Sequence, residues 1–428
     1  MSSIITVREY ARLTTLEVNN QGPDYAQIPP SLFDWLCRLS AGYRTQHSPI
    51  LAEITDRRTL FLDNYVGILQ SPCGTVLEVL PKIHEHGDDI AASRQLLKEM
   101  IVMSLDMPVR EAGITYLEQF PLPLNDWVAS QFLASLNTLM KRGVRSDYLR
   151  SEHYEPYLRG QLDVVRQMRQ PAGKAHLFHL RYDIFSPDRA ENRLIVSALQ
   201  QVVRYTKNPE LWRLARELHL TLSKIPASKN INGDLKLWYE DRLMKHYQPV
   251  KPWCELILAG QMPLAIKGKT QGISMLFPME KLFERCVETS LRLQLKPGTQ
   301  FTSQARRYSL CVHKSENLFQ LRPDILLQNG TQYWVLDAKW KRLDERDSQS
   351  KYSLNQADFY QMYAYGQKYM RGEGDMALIY PSYDGFQTPL PVFNFDEKLR
   401  LWVLPFAVTG INKGKVIHGG DTSLPFDT

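Results

Sequence analysis

The residues with the clearest capacity for chemistry are two aspartates and a lysine on what reads as one β-hairpin. Pro323-Asp324 leads into Ile325-Leu326-Leu327-Gln328-Asn329-Gly330, and Thr331-Gln332-Tyr333-Trp334-Val335-Leu336 leads into Asp337-Ala338-Lys339. Asn-Gly between two β-rich runs is the strongest short-range signal for a two-residue turn, because both residues tolerate positive φ. With Asn329 and Gly330 as the loop, Gln328 faces Thr331, Asp324 faces Val335 and Asp337 faces Arg322. Side chains alternate along a strand, so Asp324, Asp337 and Lys339 share one face, and the carboxylates form a diagonal pair about 7–8 Å apart at the backbone. Like charges held that close repel. A hard divalent cation such as Mg²⁺, or Mn²⁺ in its place, relieves the repulsion and is content with a few carboxylates plus water and phosphate oxygens. Lys339 would stand beside a metal held by Asp324 and Asp337, where it could position or deprotonate water, or neutralise charge developing on a phosphate. The chemistry that suits this spacing is metal-assisted phosphodiester hydrolysis.

Two helical segments would position the remaining groups. Met279-Glu280-Lys281-Leu282-Phe283-Glu284-Arg285-Cys286-Val287 has apolar residues at 279, 282, 283, 286 and 287, the stripe of an amphipathic helix. Asn355 to Tyr365 reads as another helix, with Gln361 and Tyr365 one turn apart. Helix Glu284, strand Asp324, strand Asp337-x-Lys339 and helix Gln361 follow one another along the chain. This order resembles the PD-(D/E)xK signature of restriction-type nucleases, with Asp in the second acidic position. The resemblance gives Glu284 the part of the first acidic residue, orienting water or supporting the metal, and Gln361 that of bracing the lysine or the water.

Further motifs narrow the resemblance. Tyr65-Val66-Gly67-Ile68 with Leu77-Glu78-Val79-Leu80-Pro81-Lys82-Ile83 looks like the N-terminal strand pair of McrC-type proteins. Leu158-Arg159-Gly160-Gln161-Leu162 and Glu191-Asn192-Arg193-Leu194-Ile195 resemble two central motifs of the same family. The likeness runs from about residue 60 to about residue 380. It implies the nuclease subunit of a modification-dependent restriction system, acting on double-stranded DNA that carries modified cytosine. The implied partner is an McrB-like AAA+ GTPase hexamer whose GTP hydrolysis the subunit stimulates. The N-terminal regions would dock in the motor's pore, and the C-terminal region would cut. Two other readings are a catalytically silent motor activator that docks DNA, and a stand-alone nuclease.

At 428 residues, with 43% hydrophobic and 23% charged residues, the chain is long enough for two or three domains and can bury real cores. Net charge of +6 is compatible with a nucleic-acid partner and too small to demand one. Basic residues cluster at Lys141, Arg142, Arg145, Arg150, Arg159, Arg166 and Arg169. They also surround the aspartates at Arg306, Arg307, Arg322, Lys339, Lys341 and Arg342, where Arg322, Lys341 and Arg342 would suit a DNA backbone. Five scattered cysteines without a C-x-x-C pair argue for reduced thiols in a cytoplasm. No long apolar run suggests a membrane span or an export signal.

The expected architecture is α+β and multidomain. Residues 1–95 form a β-rich module with one helix around Ser31–Leu39. Residues 96–265 are mainly helical, with helices over Arg94–Leu105, Asp126–Met140, Ala190–Tyr205, Pro209–Ile225 and Asp234–Tyr247. Residues 266–428 form a restriction-endonuclease-like domain, the boundary falling near Gly260–Gly272. Gly268-Lys269-Thr270 ends like a phosphate loop, but Pro263 stands where that loop needs glycine. The chain itself is therefore expected to bind no nucleotide.

Overall fold

The computed structural model describes residues 4–19, 21–43, 51–82, 89–105, 122–174, 176–239, 241–259, 275–410, 412–419 and 422–426. The expected boundary near 260–272 and the Gly268-Lys269-Thr270 segment lie outside the described residues. The architecture is mixed α and β. Two compact units divide the chain: Met1–Pro121 together with Pro263–Thr428, and Leu122–Met262. The β-rich N-terminal segment and the C-terminal segment thus belong to one unit, although the helical middle of the sequence separates them.

Strand pairing joins those two segments. Strands β1 (Ile4–Arg8), β2 (Tyr65–Gln70) and β3 (Val76–Leu80) form a sheet in the order β1-β3-β2, and β4 (Met275–Pro278) completes it by pairing antiparallel with β2. Gly67 makes that approach possible. Its φ is +130°, and a Cβ there would stand 1.9 Å from the Met275 carbonyl oxygen. Any other residue would force β4 away from the sheet. A second four-stranded sheet, from Arg12–Thr14, Tyr25–Gln27, Ala52–Asp56 and Thr59–Leu62, sits in the same segment with the helix Pro30–Tyr43.

Helix α1 (Ile90–Ser104) packs with α2 (Met279–Arg292), where the Cys286 thiol donates to the Met100 carbonyl at 3.1 Å. Met279, Leu282, Phe283, Cys286 and Val287 are all buried, so the apolar stripe read from the sequence is the buried face of α2. Each such Leu, Met or Phe contributes about 1.5–3 kcal/mol on burial, which fixes the helix and leaves Glu284 on its partly open flank.

A six-stranded sheet forms the C-terminal half of this unit. It takes β5 (Gln300–Ser303), β6 (Ile325–Asn329), β7 (Gln332–Ala338), α3 (Gln356–Met370), β8 (Gly374–Pro381), β9 (Phe393–Asn394) and β10 (Leu399–Phe406), with strand order β5-β6-β7-β8-β10-β9. β7, β8 and β10 run parallel; β5-β6, β6-β7 and β9-β10 are antiparallel. A parallel neighbour requires a crossover, and α3 provides it between β7 and β8. Leu326, Val335, Met376, Leu378 and Val403 from the sheet close against Met362, Tyr365 and Tyr369 of α3. The sheet thereby holds α3 directly over the end of β7.

In the second unit, helices Leu124–Arg142, Ala190–Tyr205, Pro209–Thr221 and Lys251–Ala259 accompany a three-stranded sheet of Asp147–Glu155, Phe178–Ser186 and Gln161–Leu162. The helix expected over Asp234–Tyr247 is instead two short pieces, Ile231–Leu237 and a 3₁₀ segment Arg242–Tyr247. Asn230 and Asp241 each accept a backbone N–H of a separate first turn, so two caps start two helices. The Glu191-Asn192-Arg193 motif is a structural hub. Arg193 grips Asp234 at 2.7 and 3.1 Å and reaches Asp188 at 3.0 Å, while Asn192 accepts from the Tyr247 hydroxyl at 2.7 Å. Part of the basic cluster here is paired: Arg145 with Asp241, Arg166 with Glu152, and Arg159 over the Tyr182 ring.

Candidate functional site

The hairpin expected between Asp324 and Lys339 forms, with a different turn. Asn329 pairs with Gln332 and Ile325 with Leu336, so the two-residue loop is Gly330-Thr331, not Asn329-Gly330, and Gly330 takes the left-handed conformation at φ +58°. This register is displaced by two residues from the one read from the sequence. One step beyond the Ile325–Leu336 pair, Asp324 stands across from Asp337 rather than from Val335. A shift of two preserves side-chain parity, so the shared face survives and the carboxylates become direct neighbours instead of a diagonal pair. Asp324 is tied down by the Ala338 backbone N–H at 3.0 Å and by Gln304 Nε2 at 3.1 Å, and its own carbonyl accepts from the Gln304 N–H at 2.8 Å.

Lys339 leaves the end of β7 with its N–H on the Ile379 carbonyl at 2.9 Å. Its ammonium lies 2.7 Å from Asp337 Oδ2 and 3.8 Å from Asp358, and it donates to Gln361 Oε1 at 3.3 Å. The Lys339 ammonium is thus the close charged partner of the buried Asp337 Oδ2. Gln361 also donates to the Tyr365 hydroxyl at 2.7 Å, which donates to the Arg322 carbonyl at 3.0 Å. Gln361 and Tyr365 therefore form one relay from the lysine to the residue beside Pro323. Asp358, one turn before Gln361 on α3, accepts from the Tyr380 hydroxyl at 3.4 Å.

Charge is concentrated here under burial. Asp337 is 1% exposed. Burial, then the neighbouring Asp337 and Glu284, pushes Asp324 up to about 7. Asp337 itself is raised by burial against the pull of Lys339. Glu284 is raised by burial too, with Asp337 adding to the shift, while Lys281, 2.8 Å away, opposes it. For Lys339, burial would lower the value, but Asp337, Asp358 and Asp324 together outweigh it and hold the ammonium above its ordinary range.

The site opens on a cavity of about 610 Å³ whose lining includes Glu284, Lys339, Lys341, Arg342, Asp358 and Glu9. Of the three basic residues expected at a phosphate backbone, Arg322 and Lys341 are exposed and Arg342 is half-buried, facing the Tyr383 ring at 6.0 Å. Among the described residues, no three or more His, Cys, Asp or Glu side chains gather in a metal-holding arrangement. The donor set is a carboxylate pair on one face of the hairpin, with Asp337 Oδ2 turned toward the Lys339 ammonium and Asp324 held by the Ala338 N–H. That set fits a small hard cation, which completes its shell with water and phosphate oxygens, better than a metal caged by protein alone.

These residues fall within a shared family pattern. The family model for the McrBC 5-methylcytosine restriction system component matches residues 60–381. The chain belongs to that McrBC family. No curated protein matches it. Among solved structures, it is similar to a chain of the half-complex from the tetradecameric assembly of Thermococcus gammatolerans McrB AAA+ hexamers with bound McrC. That match has a TM-score of 0.66 and 18% identity, and covers 96% of this chain and 97% of the other. A chain of the cryo-EM structure of the Thermococcus gammatolerans McrBC complex matches with a TM-score of 0.50 at 18% identity, over 68% of this chain and 87% of that one. At this identity the likeness is one of fold.

Within this McrBC member, the five residues singled out for catalysis occupy one region: Asp324, Asp337, Lys339 and Gln361 by contact, and Glu284 by its electrostatic influence. Sequence reasoning passed over Asp358, although it lies one turn from Gln361, and Gln304, which no local pattern marks. All five cysteines are free thiols. Among the described residues, no helix is long and apolar enough to cross a membrane.

Proposed function

We propose that this chain is the DNA-cleaving subunit of a modification-dependent restriction complex, with a PD-(D/E)xK nuclease centre. It would act with an McrB-like AAA+ GTPase hexamer, stimulate that partner's GTP hydrolysis, and cut double-stranded DNA carrying modified cytosine in the cytoplasm. The observation that carries this reading is the Asp324–Asp337 pair facing across the hairpin, with Lys339 Nζ 2.7 Å from Asp337 and 3.3 Å from Gln361. Family membership supports it independently.

Asp324 and Asp337 would hold Mg²⁺, or Mn²⁺ in its place. When bound, that ion supplies Lewis-acid polarisation of the phosphate and a more acidic water. Lys339, with its ammonium 2.7 Å from Asp337, would assist the attacking water or neutralise charge growing on the phosphate. Glu284, on the flank of α2 that lines the same cavity as Lys339, would orient the attacking water or support the metal. Gln361 fixes the direction of the Lys339 ammonium. Arg322, Lys341 and Arg342 would meet the flanking phosphates.

The reading is tested by Mg²⁺-dependent cleavage of methylated and unmethylated plasmid, with the partner GTPase present or absent. Cutting that needs Mg²⁺, partner and Asp337 supports it. GTPase stimulation without cutting under any condition would make the chain an activator that docks DNA.

A further inference from the structure

One buried acid beside this centre has no part in the chemistry above. Glu9 follows β1, far from the hairpin in sequence, and is 1% exposed. Both its oxygens accept from the Trp340 indole N–H, at 3.0 and 3.2 Å, and Oε1 also accepts the Lys82 backbone N–H at 2.8 Å. Its own N–H is bonded to the Leu80 carbonyl at 2.8 Å, so the carboxylate projects from a fixed strand end. Trp340 is the residue after Lys339. Its ring packs on Phe283 with centroids 5.4 Å apart, and Phe283 precedes Glu284 on α2. Phe283 in turn packs on Phe406 of β10 at 5.7 Å.

We propose that Glu9 is a positioning residue for the cleavage reaction: it fixes Trp340, and through Trp340 it sets both the direction in which Lys339 leaves β7 and the seat of the helix turn that carries Glu284. This inference rests on the nuclease reading. A purely architectural tie would not need a charge. A glutamine could accept the Trp340 and Lys82 donors without burying an ionisable group at the cavity that Glu284 and Lys339 also line. Burial pushes Glu9 up to about 7, against the pull of its two N–H donors and of Arg342 and Lys82, so the fold keeps an acid where a neutral acceptor would be easier to hold. The same cavity is lined by Glu9, Glu284, Lys339, Trp340 and Arg342, which puts the anchor in the compartment where substrate would lie.

The test is the steady-state cleavage of methylated DNA by the full chain with its partner GTPase, GTP and Mg²⁺, comparing parental protein, Glu9→Ala, Trp340→Phe and the double variant. Glu9→Ala is expected to lower kcat by roughly ten- to a hundredfold, the scale of a small misplacement of reacting groups, with KM for DNA unchanged. Trp340→Phe keeps an aromatic ring beside Phe283 while removing the N–H together with part of the indole, so it should lower kcat similarly even where Glu9→Ala folds poorly. Because one bond is broken in both, the double variant should lose no more than the worse single variant. Parental kcat in both single variants, losses that multiply in the double variant, or an effect confined to KM would overturn the proposal alone. Absence of cleavage by the parental protein would overturn the nuclease reading and this inference with it.

Discussion

The Asp324 carboxylate accepts the Ala338 backbone N–H at 3.0 Å, a bond that ties the residue before β6 to the last residue of β7. It holds Asp324 across from Asp337 against the repulsion of two acids in a buried setting. The arrangement stores unfavourable electrostatics that a divalent cation would relieve.

Neutralising one of the pair should therefore separate activity from stability. Asp337→Asn keeps the shape of the side chain and removes a charge that burial disfavours. The expected outcome is loss of cleavage by at least about a thousandfold, the scale of removing a metal ligand together with its electrostatic stabilisation. The metal-free melting temperature should be unchanged or higher. A large fall in melting temperature would mean that Asp337 is a structural ion-pair partner.

Stability should depend on pH and metal together. Asp324 and Glu9 are both raised to about 7 in the folded chain, from ordinary values of 3.8 and 4.5. The folded state thus keeps protons that the unfolded state has released, so these groups make the metal-free protein less stable as pH rises from about 4 to about 7. Mg²⁺ should restore the share lost at Asp324 at pH 8, by a few degrees in melting temperature, and have little effect at pH 5 where Asp324 already holds a proton. Thermal unfolding with Mg²⁺ and with chelator at both values checks this, and equal Mg²⁺ effects at the two would contradict it.

Gln361 holds the Lys339 ammonium at 3.3 Å and the Tyr365 hydroxyl at 2.7 Å. Gln361→Ala should lower kcat about tenfold with KM for DNA unchanged, because Lys339 keeps its charge and loses its aim. Tyr365→Phe removes only the far end of the relay and should cost less. Single-turnover cleavage by the two variants gives the order.

Asp358 helps to hold Lys339 above its ordinary pKa. Asp358→Asn should loosen the hold on the ammonium and lower kcat by less than Lys339→Ala does. Single-turnover cleavage by the two variants checks the order, and parental kcat in Asp358→Asn would show that Asp337 and Gln361 alone place Lys339.

The alternation of side chains made the shared face of Asp324, Asp337 and Lys339 legible in the sequence, because parity survives a shift of two residues. The actual offset was not legible. Asn329 and Gly330 both suit a left-handed turn, and only the paired strands decide that Asn329 stays in the ladder while Gly330-Thr331 turns. The stripe on α2 was readable since burial follows helical period, as was the pairing of Gln361 with Tyr365 at one turn. Asp358, Gln304 and Glu9 were not marked, because each reaches the site through contacts between distant elements: a crossover helix, an antiparallel neighbour, and a strand end far along the chain. The joining of the outer segments of the sequence in one unit was hidden for the same reason, as it depends on β4 pairing with β2 at Gly67.

The most direct measurement is Mg²⁺-dependent cleavage of methylated plasmid by the full chain with its partner GTPase and GTP, run beside Asp337→Asn and Lys339→Ala. The account predicts cutting by the parental chain, none by either variant, and GTPase stimulation retained in all three. Parental-rate cutting by Lys339→Ala, or cutting that survives Asp337→Asn, would contradict it.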